Sequence, residues 1–423
     1  MMHQSTWTVP VLEKRLFLGA VVIGLVHAVD DAVLNRQPGV PAGQHLVALA
    51  TVTAVGVAAA SMFTRLRPGT RSGLAVVIGA VTVTNGALHV AHVATGGVTA
   101  SDLTGILAAV GGLVLIGLGL AIPVMHRGEG AATRRRSWAN RAIGVVVVAG
   151  AAQFFVIPVG VGLVQTHNYR QAVGTPPAQT FRSVAFDSSD GLSLAGWYHP
   201  SENRAAVVIA NSAGGDRNGS IRHAELLASH GYGVLLYDAR GTGESEGSPN
   251  GWGWDWAYDV EGALAFLRSQ PDIDPDRLGG LGLSTGADVL IEVAATNRDL
   301  RVVVADGATG RSFADRLPGL LNASIAWPMF AAGQVFSGST PGEPLRDLVA
   351  QVAPTPLLLI AAGSIPGEIR VNRAYVEAAG DPVELWALPD VAHTNAIDQV
   401  ASEYERRVVE YLDTALLKGR NRS

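Results

Sequence analysis

Long runs of apolar residues dominate the first 166 residues of the chain. Five of these runs are close to the length of about 20 residues that a helix needs to cross a bilayer. They are Leu16–Leu34, Leu46–Phe63, Leu74–Ala94, Leu103–Met125 and Ala142–Val164. A stretch such as Gly111–Val124 has no polar face, which is typical of a helix in lipid. The pattern predicts an α-helical transmembrane bundle of five helices over residues 1–166. The alternatives are a buried soluble bundle and, for the first run alone, a cleaved signal peptide.

From Phe181 onward the apolar residues fall in short runs that alternate with amphipathic stretches. The short runs predict strands at Phe181–Phe186, Leu192–His199, Ala205–Ala210, Gly233–Tyr237, Arg277–Leu283, Arg301–Ala305, Pro356–Ala361 and Val383–Leu388. The amphipathic stretches predict helices at Ile221–Ser229, Trp254–Ser269, Ala287–Thr296, Val371–Ala379 and Ala396–Leu417. This alternation predicts a mostly parallel sheet with helices on both faces over residues 180–423. Residues 167–179 are polar and contain a Pro-Pro pair, which predicts a linker.

Composition and charge narrow the classes of protein that fit. Hydrophobic residues make up 48% of the 423 residues and charged residues only 16%, which is too apolar for an ordinary soluble enzyme. The net charge of −5 is small and predicts no nucleic-acid partner. The chain has no cysteine, which excludes disulfides and thiolate metal sites.

Basic residues occur in alternate loops between the apolar runs. They are Lys14 and Arg15; then Arg65, Arg67 and Arg71; then Arg127, Arg134, Arg135, Arg136 and Arg141. Loops rich in arginine and lysine stay in the cytoplasm, so this alternation predicts a cytoplasmic amino terminus. Five crossings would then place residues 180–423 outside the cell membrane.

Four ionisable residues gather at the predicted outer ends of the apolar runs. His27 and Asp31 are four positions apart, and His89 and His92 are three apart, so each pair shares a helix face. Such groups are costly in a membrane unless they are paired. We expect hydrogen bonds between helices here, with a divalent-metal site as the alternative. No metal or cofactor is predicted.

A candidate nucleophile lies at Gly282-Leu283-Ser284-Thr285-Gly286, between a predicted strand and a predicted helix. Gly-x-Ser-x-Gly at such a junction is typical of a sharp turn that exposes the serine. A hydroxyl becomes a good nucleophile only when a base takes its proton. A histidine and an acid from elsewhere in the chain are therefore expected beside it.

Three further motifs occur along the chain, two before the serine turn and one after it. Asn211-Ser212-Ala213-Gly214-Gly215 comes after the third predicted strand, Asp238-Ala239-Arg240-Gly241-Thr242-Gly243-Glu244-Ser245 after the fourth, and His393 between the last predicted strand and helix. With the serine turn, they resemble the α/β-hydrolase superfamily, in particular bacterial esterases and dienelactone hydrolases. In the family, His-Gly usually stands in place of Asn211-Ser212, which is a departure that affects the loop's geometry.

The resemblance implies roles for particular residues. Ser284 would be the nucleophile and His393 the general base, while the backbone N–H groups of Ala213 and Thr285 would hold the oxyanion. The family's acid follows the strand Pro356–Ala361. Pro366 stands at the expected position, and Glu368 comes two residues later. Glu368 is therefore the expected acid, and Asp306, which follows the strand before, is the alternative.

An apolar insertion at about 307–353 stands where the family carries its cap. Trp327, Met329 and Phe330 in this insertion are expected to bind the substrate. The whole pattern predicts a membrane-anchored serine hydrolase that acts on a small-molecule or lipid-like ester, or less readily an amide, with the lipid bilayer as its other partner. The alternative is a non-catalytic sensor or transport partner that uses the same fold for binding.

Overall fold

The computed structural model describes residues 9–35, 42–96, 98–126, 150, 152–167, 170–315, 320–365 and 367–418. Contacts between residues divide the chain into two units. The helical unit consists of Met1–Arg36, Pro41–His167 and Leu320–Gly338. The α/β unit consists of Asn168–Gly319 and Ser339–Ser423, together with Gln37–Val40.

The amino-terminal part of the helical unit contains five described α-helices. They are α1 (Val11–Val29), α2 (Ala42–Phe63), α3 (Pro68–Gly96), α4 (Ala100–Met125) and α5 (Ile157–Thr166). A π-helical segment, Asp30–Leu34, continues α1, and another, Ala152–Val156, precedes α5. Four described spans are long and apolar enough to cross a membrane: Val11–Leu34, Leu46–Phe63, Pro68–Val90 and Ala100–Met125. The predicted fifth run, Ala142–Val164, lies partly outside the described residues, and its described part belongs to a shorter apolar helix, Gln153–Thr166.

Apolar packing and one buried ion pair hold α1 to its neighbours. The rings of Phe17 and Phe63 stack with their centroids 3.8 Å apart. Beside them Arg71 Nε lies 2.9 Å from Glu13 Oε1, and both side chains are buried. The sequence pattern placed Arg71 among the loop arginines that orient the helices. Its guanidinium is instead neutralised by Glu13, so Arg65 and Arg67 carry the charge of that loop.

The α/β unit is built on one eight-stranded sheet. Its strands are β1 (Arg182–Asp187), β2 (Ser193–His199), β3 (Ala206–Ala210), β4 (Gly233–Tyr237), β5 (Leu278–Leu283), β6 (Leu300–Asp306), β7 (Leu357–Ala362) and β8 (Val383–Leu388). Their order in the sheet is β1-β2-β4-β3-β5-β6-β7-β8. The pairs β1/β2 and β2/β4 are antiparallel and the others are parallel. The predicted mostly parallel sheet is therefore confirmed.

Helices cover both faces of this sheet and bury its two apolar surfaces. Those of the α/β unit are α6 (Ile221–Ser229), α7 (Trp256–Arg268), α8 (Thr285–Thr296), α10 (Leu345–Val349), α11 (Glu368–Ala379), α12 (Ala396–Gln399) and α13 (Ala401–Leu416). Every residue of the central strands β3 and β5 is buried, as expected for parallel strands covered on both sides. The carboxyl ends of the parallel strands meet at one edge of the sheet, where such folds bind their ligands.

The remaining helix, α9 (Leu320–Ser337), lies in the insertion at 307–353 for which a cap is predicted. Contacts group Leu320–Gly338 with the helical unit and not with the α/β unit. A Cβ added at Gly162 of α5 would lie 2.8 Å from Ala332 Cβ and 3.2 Å from Gly333 N, so α5 and α9 cross closely through small residues. This is the packing that apolar helices use in lipid, where the absence of side chains lets backbones approach.

Candidate active site

Ser284 lies in a tight turn between β5 and α8. Its backbone has φ 52° and ψ −115°, a left-handed conformation that a residue with a side chain adopts only when its surroundings require it. A Cβ at Gly286 would lie 2.2 Å from Ala210 O, and one at Gly282 would lie 2.5 Å from Gly286 O. Both glycines are therefore needed for the backbone to pass, and the turn presents the serine hydroxyl beyond the end of the sheet.

His393 reaches this serine from the loop between β8 and α12. Its Nε2 is 2.9 Å from Ser284 Oγ. The loop is held by the His393 backbone N–H, which donates to Ser364 Oγ at 2.7 Å. The ring packs so closely on Gly307 that a Cβ there would lie 2.6 Å from His393 Cε1. The imidazole is fixed in the position that a base for Ser284 needs.

Glu368 completes a relay of three side chains. Its Oε2 is 2.8 Å from His393 Nδ1, and the carboxyl group is buried. Its Oε1 accepts the backbone N–H of Ala362, the last residue of β7, at 2.7 Å. Glu368 is also the first residue of α11, where the amino-terminal end of the helix favours a negative charge. The carboxylate is thus held from two sides, and it faces the histidine nitrogen that points away from the serine.

Asp306, the alternative acid, is close to the relay without joining it. It is the last residue of β6, it is 1% exposed, and its Oδ2 has no hydrogen-bond partner among the described residues. Burial and the nearby charge of Glu368 raise the pKa of Asp306 to about 7, against the opposing effect of His393. Between the two acids that the sequence left open, the structure brings Glu368 to the histidine.

The two residues whose backbone N–H groups are expected to hold an oxyanion are Ala213, in the turn after β3, and Thr285, directly after Ser284. Thr285 is the first residue of α8, where a backbone N–H has no partner within its helix. Its hydroxyl donates to Gly251 O at 2.9 Å. Ala213 lies in the exposed turn that follows β3. The structure gives the positions of both residues, and their role in binding an oxyanion stays a prediction.

The departure from His-Gly at the start of that turn has a structural consequence. Asn211 is buried, and its Nδ2 donates to Tyr237 O at 2.6 Å, at the end of β4. Its Oδ1 accepts the hydroxyl hydrogen of Ser220 at 2.5 Å. The side-chain amide of Asn211 therefore ties the turn after β3 to β4 and to the segment before α6. These two hydrogen bonds hold the turn in place without the His-Gly of the family.

Comparisons with known proteins agree with the fold of the α/β unit. Residues 174–344 match the X-Pro dipeptidyl-peptidase (S15) family. The uncharacterized protein Rv2307c of Mycobacterium tuberculosis is 30% identical over 231 residues, which are 51% of this chain and 73% of that protein. The chain belongs to the α/β-hydrolase superfamily. The uncharacterized protein YfhR of Escherichia coli is 29% identical over 253 residues, 57% of this chain and 84% of that protein. The solved esterase Pf2001 of Pyrococcus furiosus shares the fold, with a TM-score of 0.50 and 22% identity over 60% of this chain and 98% of its own.

The loop after β4 is held in place by hydrogen bonds and ion pairs with neighbouring segments. Asp238 accepts the backbone N–H groups of Arg217 and Glu244, at 2.9 and 2.8 Å. Arg240 forms ion pairs with Asp259 and Asp190, at 2.7 and 2.8 Å. These contacts close the loop on itself and on α7, so the loop residues are structural.

The predicted linker also contributes to the hydrolase unit. Arg170 donates to the backbone carbonyls of Ser245 and Gly247 in the same loop. Its guanidinium is half-buried, and this burial lowers its pKa below the usual value. The described part of residues 167–179 is therefore packed against the hydrolase fold from Arg170 onward.

Two positioning contacts were not foreseen in the sequence. Ser364 Oγ holds the loop of His393, as described above. Asp288 in the first turn of α8 accepts the backbone N–H groups of Thr309 and Gly310, at 3.0 and 3.1 Å. Burial raises the pKa of Asp288 to about 7, against the opposing effect of Arg311. Asp288 thus ties the loop after β6 to the helix behind the serine, and no local pattern in the sequence indicates such a long-range bond.

The residues expected to bind substrate all lie on α9, within the helical unit. The side chain of Trp327 is 66% exposed, whereas Phe330 is 3% exposed and Met329 is half-buried. Phe330 is therefore buried. Contact of all three residues with a substrate stays a prediction.

Proposed function

We propose that the protein is a membrane-anchored serine hydrolase that cleaves a carboxylic ester through an acyl-enzyme intermediate. The relay from Ser284 Oγ through His393 to the buried carboxylate of Glu368, with distances of 2.9 and 2.8 Å, carries this proposal. A nucleophile, a base within hydrogen-bond reach, and an acid that orients the base are the three parts that acyl transfer by serine requires.

The reaction follows from the positions of the atoms. Ser284 Oγ attacks the carbonyl carbon while its proton moves to His393 Nε2. The carbonyl oxygen becomes an oxyanion, which the backbone N–H groups of Ala213 and Thr285 stabilise. His393 then gives its proton to the departing alkoxide, which leaves an acyl group on the serine. Water then attacks the acyl carbon and loses a proton to His393, and His393 gives this proton to Ser284 Oγ as the acyl–serine bond breaks and the acid is released.

An ester substrate is favoured over the dipeptides named in the S15 family. A peptide with a free amino terminus carries an ammonium group, and binding that group calls for a carboxylate facing the substrate. Among the described residues, Glu368, Asp306 and Asp288 are acids near the serine, and all three are buried. Glu368 is occupied by His393 and Ala362, and Asp288 by two backbone N–H groups. A neutral acyl ester makes no such demand.

A covalent probe tests the proposal directly. A fluorophosphonate should label the detergent-solubilised full chain, and labelling should disappear in Ser284→Ala. Hydrolysis of p-nitrophenyl acyl esters should exceed that of an X-Pro p-nitroanilide and of an acyl thioester. An unlabelled wild type would support the non-catalytic sensor instead. Faster cleavage of the anilide or thioester would keep the serine mechanism and replace the substrate class.

The membrane part of the proposal rests on the four apolar spans and on the basic residues near their ends. With Lys14, Arg15, Arg65 and Arg67 on the cytoplasmic side, four crossings return the chain to the cytoplasm, and a fifth crossing at the predicted run Ala142–Val164 would place the hydrolase unit outside it. Because the chain has no cysteine, single cysteines at Arg65 and Ser229 report on orientation without a background. A membrane-impermeant maleimide should label Ser229→Cys in intact spheroplasts and spare Arg65→Cys. The reverse pattern would place the hydrolase unit in the cytoplasm.

A further inference from the structure

Three ligand-type side chains converge at one end of the helical unit, away from the relay residues in sequence. His27 lies near the end of α1, Asp31 in the π-helical segment that follows, and His89 near the end of α3. One donor atom from each lies within 4.8 Å of the others. We call this set the His27–Asp31–His89 cluster. Insertions that turn an α-helix into a π-helix occur frequently at functional sites.

Hydrogen bonding fixes the tautomer of His27. The Thr104 hydroxyl has one hydrogen, and it is directed at an oxygen: Asp30 Oδ2 lies at 2.5 Å and the backbone carbonyl of Ser101 at 3.0 Å. Thr104 Oγ1 must therefore accept from His27 Nδ1, 3.1 Å away, and Nδ1 carries the ring proton. In a neutral imidazole this leaves a lone pair on Nε2.

That lone pair of His27 faces another acceptor. Nε2 is buried, has no hydrogen-bond partner among the described residues, and lies 3.3 Å from Asp31 Oδ2. Two acceptor atoms at this distance repel each other unless a positive charge lies between or beside them. The arrangement calls for either a proton on Nε2 or a cation.

His89 has the same orientation for the same kind of reason. Its Nδ1 is 3.2 Å from Asp102 Oδ1, and Asp102 is a buried carboxylate that also accepts two hydrogen bonds from Thr99. Nδ1 is therefore the donor, and Nε2 is directed at Asp31 Oδ2, 3.9 Å away. A carboxylate behind an imidazole is how proteins orient a histidine that binds a metal.

The backbone is shaped to admit the His89 ring. A Cβ added at Gly105 of α4 would lie 2.2 Å from both Cγ and Cδ2 of His89. Only glycine leaves this space, so the ring is seated against the α4 backbone. The rings of His27 and His89 meet edge to face, with their centroids 4.6 Å apart. The two Nε2 atoms are thus presented by a rigid surround.

We propose that the His27–Asp31–His89 cluster binds a divalent transition-metal ion, with Zn²⁺ as the ion its donors suit best. Two imidazole nitrogens and one carboxylate oxygen are a common protein set for Zn²⁺ and leave a fourth position for water. Metal–ligand lengths of about 2.0–2.2 Å in a tetrahedron separate neighbouring ligand atoms by about 3.3–3.6 Å. The distance from His27 Nε2 to Asp31 Oδ2 is 3.3 Å, which meets this requirement, and the distance from His89 Nε2 to the same oxygen is 3.9 Å, which is about 0.3 Å longer than this range.

Charge supports the same ligand. Asp30, Asp31 and Asp102 place three carboxylates beside His27 and His89 in an apolar helical unit. Uncompensated charge is costly in such surroundings. A divalent cation would offset two of these charges at the point where the lone pairs already converge.

Metal analysis of the full chain, purified in detergent without chelators, tests the proposal. We expect about one equivalent of Zn²⁺ per chain, either as purified or after equilibration with Zn²⁺. Each of the variants His27→Gln, Asp31→Asn and His89→Gln should retain at most about one tenth of that Zn²⁺. The matched control is His126→Gln, because His126 is a histidine of the same unit that pairs with Glu13 at the other end of α1. It should keep the full equivalent.

Two further measurements keep the result clear if a variant misfolds. Wild-type protein stripped with a chelator should regain thermal stability with Zn²⁺ and not with Mg²⁺, and Co²⁺ should give visible absorption bands of a tetrahedral site. The proposal is overturned if stripped wild type takes up no Zn²⁺ or Co²⁺, or if the three variants bind as much metal as His126→Gln does. In either case the lone pair of His27 is met by a proton, and the cluster is a hydrogen-bonded brace.

Discussion

Replacing Glu368 by glutamine separates the two acids near His393. The carboxylate accepts from Ala362 N through Oε1 and faces His393 Nδ1 through Oε2. A glutamine that keeps the Ala362 hydrogen bond must place its carbonyl oxygen there, which turns its NH₂ group toward His393 Nδ1. Nδ1 then has to accept, so the ring proton moves to Nε2. In that tautomer His393 cannot take the proton of Ser284.

The size of the effect follows from the same geometry. Glu368 stabilises the imidazolium that forms in the transition state, and two charges about 4 Å apart attract by about 4 kcal/mol at an effective dielectric constant of about 20. That energy alone corresponds to a loss of about 10³ in kcat. The unfavourable tautomer adds to it, and acid-to-amide changes in other serine triads cost about 10⁴. We expect kcat to fall by about 10³–10⁴ with little change in KM.

The assay is hydrolysis of a p-nitrophenyl ester by the solubilised full chain, with the rate of fluorophosphonate labelling as a second readout. Thermal unfolding should show that Glu368→Gln remains folded, since the Ala362 hydrogen bond is kept. The matched control is Asp306→Asn, which should lower kcat by less than about tenfold because Asp306 makes no hydrogen bond through Oδ2. A Glu368→Gln enzyme within tenfold of wild type, or an inactive Asp306→Asn enzyme, would refute the assignment of the acid.

Three other consequences can be measured. Burial and Glu368 raise the pKa of Asp306 to about 7 in the folded chain. The unfolded chain therefore loses this proton at a lower pH, and the free energy of unfolding falls by at most about 4 kcal/mol as pH rises from about 4 to 7. Asp306→Asn should therefore gain melting temperature relative to wild type at pH 8 but much less at pH 5, and an equal difference at both would contradict the shift. Gly286→Ala forces a Cβ to within 2.2 Å of a backbone oxygen and should slow labelling of the serine at least about 100-fold, whereas Gly219→Ala, with no atom within 4 Å, should leave it unchanged. Residues 170–423 expressed alone should aggregate through α9, because that helix packs with helices absent from the fragment. A polar linker in place of residues 320–338 should restore a monodisperse fragment. A fragment that is monodisperse with α9 present would contradict this expectation.

Much of the α/β unit could be predicted from sequence because its strands are set by local patterns. Predicted and observed bounds of the strands differ by one residue or less at every end, since buried parallel strands read as short continuous apolar runs. The serine turn was also local, because Gly282 and Gly286 directly flank the residue they accommodate. The choice of Glu368 over Asp306 came from the family resemblance, which places the acid after the strand Pro356–Ala361, although Pro366 stands at the expected position and Glu368 follows two residues later.

Contacts between distant segments could not be predicted in this way. The pair of Arg71 and Glu13 joins α3 to α1, and the pattern of basic residues placed Arg71 in a loop. Asp288 binds backbone N–H groups more than twenty residues away, and any acid at the start of a helix has the same local appearance. Such contacts depend on how the elements pack, and the periodicity of one element carries no information about its partner.

The grouping of α9 with the helical unit is another contact between distant segments that local sequence patterns do not predict, and its physical cause is visible in the structure. An apolar stretch inserted in a hydrolase sequence predicts a cap. This chain also offers the apolar surfaces of the amino-terminal helices, and small residues let α9 pack against them. Gly162 of α5 leaves room for Ala332 and Gly333 of α9, and the ring of Phe336 packs on His167. Because backbones that approach this closely gain contacts along the whole crossing, α9 is held by the helical unit although both of its neighbours in sequence belong to the hydrolase. The helical unit therefore includes a helix from the hydrolase half of the sequence, which a membrane anchor of a single helix would not do.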